Sequence, residues 1–156
     1  MMDEVVKKLT ELKKTIATME SCSGGAVVNA ITNVPGASEV LKFSAVTYAN
    51  EFKVKMGVDK ALIDKYSVYS IEVAKSMSYQ IAKFANSNYG IGITGKINRA
   101  DPYNNQGKDN EIFVSIYDLD NDKYITFKLI AINENREKNK EYIVEEIAKK
   151  LLTILK

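Results

Sequence analysis

Apolar side chains recur at Val5, Val6, Leu9 and Leu12, the spacing of one helix face, so the chain opens on a predicted amphipathic helix laid against a core. The period then shortens. Thr15 to Glu20 (TIATME) is a β-branched strand that stops at a small polar turn, and a helix follows from about Gly24 to Thr32. Asn33 to Ser38 (NVPGAS) reads as a loop broken at Pro35-Gly36, and Phe43 to Tyr48 (FSAVTY) as a second strand. Asn50 is the expected N-cap of a short helix carrying Lys53 and ended by Gly57. Ser70 is the expected N-cap of a longer helix to about Asn86, with Val73, Met77, Ile81 and Phe84 facing inward. Tyr89 to Gly95 (YGIGITG) is a third strand, glycine-spaced as where a backbone or ligand comes close. The polar stretch from Lys96 to Asn110 is long enough for a loop to suggest function. Glu111 to Asp118 and Lys123 to Ile132 form a hairpin around Asp120-Asn121-Asp122, and Ile143, Ile147, Leu151 and Ile154 mark a final helix from about Glu137. Helices alternating with strands, followed by a late hairpin, predict a three-layer α/β/α domain with a mixed sheet.

Composition narrows the function more than the fold. At 156 residues and 46% hydrophobic content the chain has the size of one domain, expected over residues 1–156. Its 22 basic and 20 acidic residues are interspersed, which leaves no electrostatic footprint for nucleic acid or an anionic membrane. No apolar run approaches the roughly 18 residues of a membrane span, and the charged amphipathic start is unlike a signal peptide, so a cytoplasmic location is the expectation. Cys22 is the lone cysteine and histidine is absent, which excludes an internal disulfide and a zinc site of the usual nitrogen and sulfur ligands. No metal or cofactor is expected.

The candidate chemistry lies in the turn Ser21-Cys22-Ser23-Gly24-Gly25. A strand-to-helix turn sits at the carboxyl edge of a sheet, where open α/β folds bind ligands, and glycines there let a substrate approach the backbone. Unpaired N–H groups at the start of the following helix are suited to an anion or a developing oxyanion. The arrangement serves nucleophilic attack by Ser21, phosphate binding, or simply an N-cap with glycines packing helix on sheet. With histidine missing, a base for Ser21 must be Lys, Tyr or a carboxylate. A lysine serves when its pKa, ordinarily about 10.4, falls by about two to three units through burial or a neighbouring cation. Lys53 is a candidate, following the second strand through Tyr48 and Asn50 (YANEFK). Cys22, without an imidazole to activate it, reads as a packing residue.

The segments TMESCSGG, NVPGAS, VTYANEFKVKMGV, YSIEVAKSM, GITG and NENREKNK, in this order, resemble the C-terminal domain of the CinA proteins over about residues 8–155. The resemblance implies deamidation of nicotinamide mononucleotide to the nicotinic acid mononucleotide and ammonia, on an α/β/α fold with a mixed five-stranded sheet. It implies a metal-free mechanism with Ser21 as nucleophile, Lys53 as base and Tyr48 as the hydroxyl that relays or orients the proton. Ser23, Gly24, Gly25, Asn50, Thr94 and Gly95 are the expected substrate-binding positions, with Arg136 for the mononucleotide phosphate or the edge of the site. A homodimer acting on a small nucleotide is the implied assembly. The sequence departs from the family's pattern after GITG, where KINRADPYNNQGKDN replaces a glycine-rich loop and brings in Lys96 and Arg99, and before Arg136, where Asn135 replaces an aspartate. The altered loop keeps open a second reading, a module that binds nucleotide or phosphate without turnover.

Overall fold

The computed structural model describes residues 1–99, 103, 107–132 and 135–156. Helix α1 (Met2–Leu12) leads into strand β1 (Ile16–Glu20), and helix α2 (Ala26–Thr32) follows the turn. After a 3-10 turn at Ala37–Glu39 come strand β2 (Ala45–Val46), helices α3 (Asn50–Lys55), α4 (Lys60–Tyr66) and α5 (Ile71–Ala85), and strand β3 (Tyr89–Gly95). Strands β4 (Glu111–Asp118) and β5 (Lys123–Ile130) form the hairpin, and helix α6 (Arg136–Ile154) completes the described structure.

The sheet runs β2-β1-β3-β4-β5. Strands β2, β1 and β3 are parallel, whereas β3, β4 and β5 pair antiparallel. Its two faces carry separate cores, as the strand period of two requires. On one face Ile16, Ile91 and Ile93 pack among Val5, Leu9, Val27, Ile31, Ile143 and Ile147, from α1, α2 and α6. On the other, Ala17 and Met19 meet Val73, Met77 and Ile81 of α5. The fold is thus three-layer α/β/α around a mixed five-stranded sheet, the predicted architecture.

Helix α5 lies unusually close to β3 because Gly90 and Gly92 offer no side chain on that face. A Cβ built at Gly90 would lie 2.1 Å from the Ser78 carbonyl oxygen, and one at Gly92 would lie 2.3 Å from that of Ala74. The predicted cap of α5 is present: Ser70 accepts a hydrogen bond from the Val73 N–H, and Asn86 closes the helix in the left-handed conformation.

Several expectations need correction. The second strand shrinks from six residues to Ala45–Val46, because only Met19 and Glu20 of β1 have partners there. Asn50 is the first residue of α3 rather than its cap, a position held by the extended Ala49. Phe84 points outward, 64% exposed, and stacks on Phe43 at 5.0 Å between ring centroids instead of entering the core. Helix α4, not foreseen, is started by Asp59, whose side chain accepts from the Ala61 N–H. The expected loop over 96–110 falls partly outside the described residues.

Candidate active site

The parallel strands β1, β2 and β3 all end toward one cleft of about 420 Å³, within the range that holds a small ligand. Ser21 leaves the end of β1 with its N–H bonded to the Ile93 carbonyl of β3 at 3.1 Å, so the sheet itself fixes where the hydroxyl starts. Lys53 reaches the same point from α3. It is 1% exposed, and its Nζ stands 3.1 Å from Ser21 Oγ, 2.7 Å from the Thr47 carbonyl oxygen and 3.2 Å from that of Tyr48. A lysine so deeply buried is rare unless its polar end is engaged, and here successive carbonyls leaving β2 engage it.

Glu20 organises the other side of the turn. Its carboxylate is fully buried and accepts from Ser23 Oγ at 2.7 Å, the Val27 N–H at 3.1 Å and the Val28 N–H at 2.8 Å. The N-terminal amides of α2 are therefore already committed, which corrects the expectation that they await an anion. Ser23 is corrected with them: its side chain, wholly buried, turns inward to Glu20 and does not line the cleft. Gly24 and Gly25 are likewise absent from the lining, and serve the backbone instead, with φ of 62° and 97° that other residues rarely adopt.

Asn50, Thr94, Gly95 and Arg136 do line the cleft, together with Ser21, Tyr48 and Lys53. The Thr94 hydroxyl donates to the Val68 carbonyl at 2.9 Å, and Arg136 Nη1 donates to that of Ile97 at 2.9 Å, so the guanidinium bridges α6 to the segment after β3. Tyr48 behaves differently from the expectation. The residue is 65% exposed on the cleft lining, and among the described residues it is the carbonyl of Tyr48, rather than its hydroxyl, that meets Lys53.

Cleft residues that the motifs did not single out include Val68, Tyr69 and Tyr103. Lys96 and Arg99, noted only as added charge, also line it. Lys96 is a second buried lysine, its Nζ 3.6 Å from Asp109 and 4.8 Å from the centre of the Tyr69 ring. Val68 and Tyr69 could have been suspected from their place just before the Ser70 cap, where a side chain packs against the opening helical turn. Cys22 is 5% exposed, and burial pushes its thiol up to about 12, leaving it protonated and unreactive beside the serine. No cluster of metal-ligating side chains occurs among the described residues.

The profile of the CinA C-terminal domain family matches residues 1–155. The chain belongs to this family. A CinA-like protein of Flavobacterium psychrophilum is 46% identical to this CinA domain over 90 residues, 57% of this chain and 22% of that protein. The CinA domain spans less than a quarter of the length of the curated relatives it matches, 23% for one from Clostridium perfringens. Among solved structures, the competence or damage-inducible protein from Enterobacter asburiae superposes with a TM-score of 0.88, at 20% identity, over 99% of this chain and 98% of that one. A CinA superfamily protein from Escherichia coli gives a TM-score of 0.84, also at 20% identity, over 99% of this chain and 90% of that one. Such likeness shows the fold shared by this CinA domain and those structures.

Proposed function

We propose that this CinA domain is a serine amidohydrolase acting on the carboxamide of nicotinamide mononucleotide, releasing ammonia and the nicotinic acid mononucleotide. The observation that carries the reading is the buried Lys53 Nζ at 3.1 Å from Ser21 Oγ in the wall of a nucleotide-sized cleft.

Lys53 Nζ donates to Ser21 Oγ and to the Thr47 and Tyr48 carbonyls; on giving up one proton it would keep two N–H groups for the carbonyls and turn a lone pair toward the Ser21 hydroxyl. Ser21 Oγ attacks the carboxamide carbon while its proton passes to Lys53. The oxyanion meets the N–H of Cys22, which follows Ser21 on the cleft lining, since those of Val27 and Val28 are committed to Glu20. Lys53 returns the proton to the leaving nitrogen as the C–N bond breaks, giving ammonia and a Ser21 ester. Water, deprotonated by Lys53, then splits that ester to the acid and restores the serine. Arg136 and Arg99, both on the cleft wall, suit the phosphate, and Tyr69 and Tyr103 offer aromatic faces to the ring.

The test is ammonia release from nicotinamide mononucleotide by the purified protein beside its Ser21→Ala variant. Turnover in the first and loss in the second is the expected outcome; no turnover from folded wild-type protein would end the reading. The three cations Lys96, Arg99 and Arg136 on the wall favour one alternative, anion binding without turnover, and calorimetry with the same nucleotide would then show binding alone.

A further inference from the structure

Resting on the serine amidohydrolase reading, we infer that Glu20 is a positioning residue for Ser21, acting as a carboxylate that clamps the nucleophile's turn from inside the protein. Glu20 lies at the last position of β1 and touches both halves of the site. Its backbone carbonyl accepts from the Thr47 N–H at 2.8 Å, and the Thr47 carbonyl in turn holds Lys53 Nζ at 2.7 Å. Its side chain holds the far end of the turn, with Oε1 accepting from Ser23 Oγ and the Val27 N–H, and Oε2 from the Val28 N–H. Ser21 is therefore suspended between two attachments of one residue. Lys53 is oriented from the same residue's main chain.

The chemistry calls for a carboxylate rather than any polar group of that size. Both oxygens are approached by donors, and the Thr18 hydroxyl stands a further 3.3 Å from Oε2. A glutamine of equal shape would turn an NH₂ group toward one of those donor sets, so at least one N–H or hydroxyl in a fully buried place would face another donor. The turn must then shift to relieve the contact, and Ser21 Oγ moves with it. Aspartate keeps both acceptors but is one methylene shorter, so it cannot reach the Ser23 hydroxyl and both amides at once.

The inference is tested with wild-type, Glu20→Asp and Glu20→Gln proteins, each checked for folding by circular dichroism. The readouts are kcat and KM for ammonia release, and the rate at which diisopropyl fluorophosphate modifies Ser21, read by intact mass. In that labelling the Oγ–P bond forms, fluoride leaves and the hydroxyl proton passes to Lys53, so it reports the nucleophile's placement without the nucleotide. Expected are a loss of about tenfold or more in kcat and in labelling for Glu20→Gln, with KM within about twofold, and Glu20→Asp in between. Folded Glu20→Gln protein labelled at the wild-type rate would overturn the inference, and so would a crystal structure of it with Oγ still 3.1 Å from Nζ. Should Glu20→Gln fail to fold, Glu20→Asp decides by the same measures. Wild-type protein that is labelled but releases no ammonia would sink the amidase reading, while the labelling comparison would still judge Glu20.

Discussion

In the proposed reaction Lys53 is the residue on which the chemistry turns, because it would bring a nitrogen base to a serine in a chain that has no imidazole. Lys53→Met keeps an unbranched apolar stem close to that of lysine and removes the amine. It should lower kcat by about a hundredfold or more with the far-ultraviolet circular dichroism unchanged. Under the same proposal Arg136→Ala should instead raise KM with little change in kcat, since its guanidinium sits on the wall and is held by the Ile97 carbonyl rather than by Ser21 or Lys53. Cys22 yields a pH prediction. Its ordinary value of 9.0 is raised to about 12 by burial, so the unfolded thiol ionises first. The stability that comes from burying the neutral thiol is fully present below pH 9.0 and is lost as pH rises from there to about 12. Urea midpoints of wild-type and Cys22→Ala proteins, compared below and within that window, should show the extra alkaline loss in wild type alone. At this scale the sequence disclosed Ser21 and Lys53 as a pair, because a serine in a glycine turn and a lysine past the next strand form a joint pattern. It did not disclose Glu20, whose inferred role depends on which face of β1 it occupies and on three donors supplied by the turn and the helix after it.

Among the elements, α5 and β3 form the seam that holds the parallel strands in line with the cleft. Gly92→Ala forces a methyl group to within 2.3 Å of the Ala74 carbonyl oxygen, and neither backbone can move without dragging its layer. The expected destabilisation is about 1–3 kcal/mol or more, measured by chemical denaturation. Helices with a strong three-and-four period, α1, α5 and α6, were legible because each buries one face, as Val5 and Leu9, Val73 and Met77, and Ile143 and Ile147 do. Helix α4 was not, since none of its residues is fully buried and only Leu62 and Ile63 pack against a core, too short a run to set a period. Strand β2 was overread for the opposite reason: Phe43 and Tyr48 look strand-like in composition, yet both are exposed, Tyr48 the more so, and lie beyond the paired residues.

For the whole molecule, the alternation of helices and strands followed by a hairpin was enough to set the layers, because parallel strands need crossovers and a short turn forces an antiparallel return. The same order leaves β5 as one border of the sheet. It is eight residues long and mostly exposed, and its outer side offers a row of N–H and C=O groups that another chain could extend into a fibre. Lys123 and Lys128 stand on that border, where like charges brought into register by a second copy would repel. Replacing both by threonine keeps strand propensity and removes the guard, so light scattering at high protein concentration should rise faster for the double variant than for wild type. That outcome would make gatekeepers of solubility of these two lysines, Lys128 even though it also pairs with Glu111 at 2.7 Å.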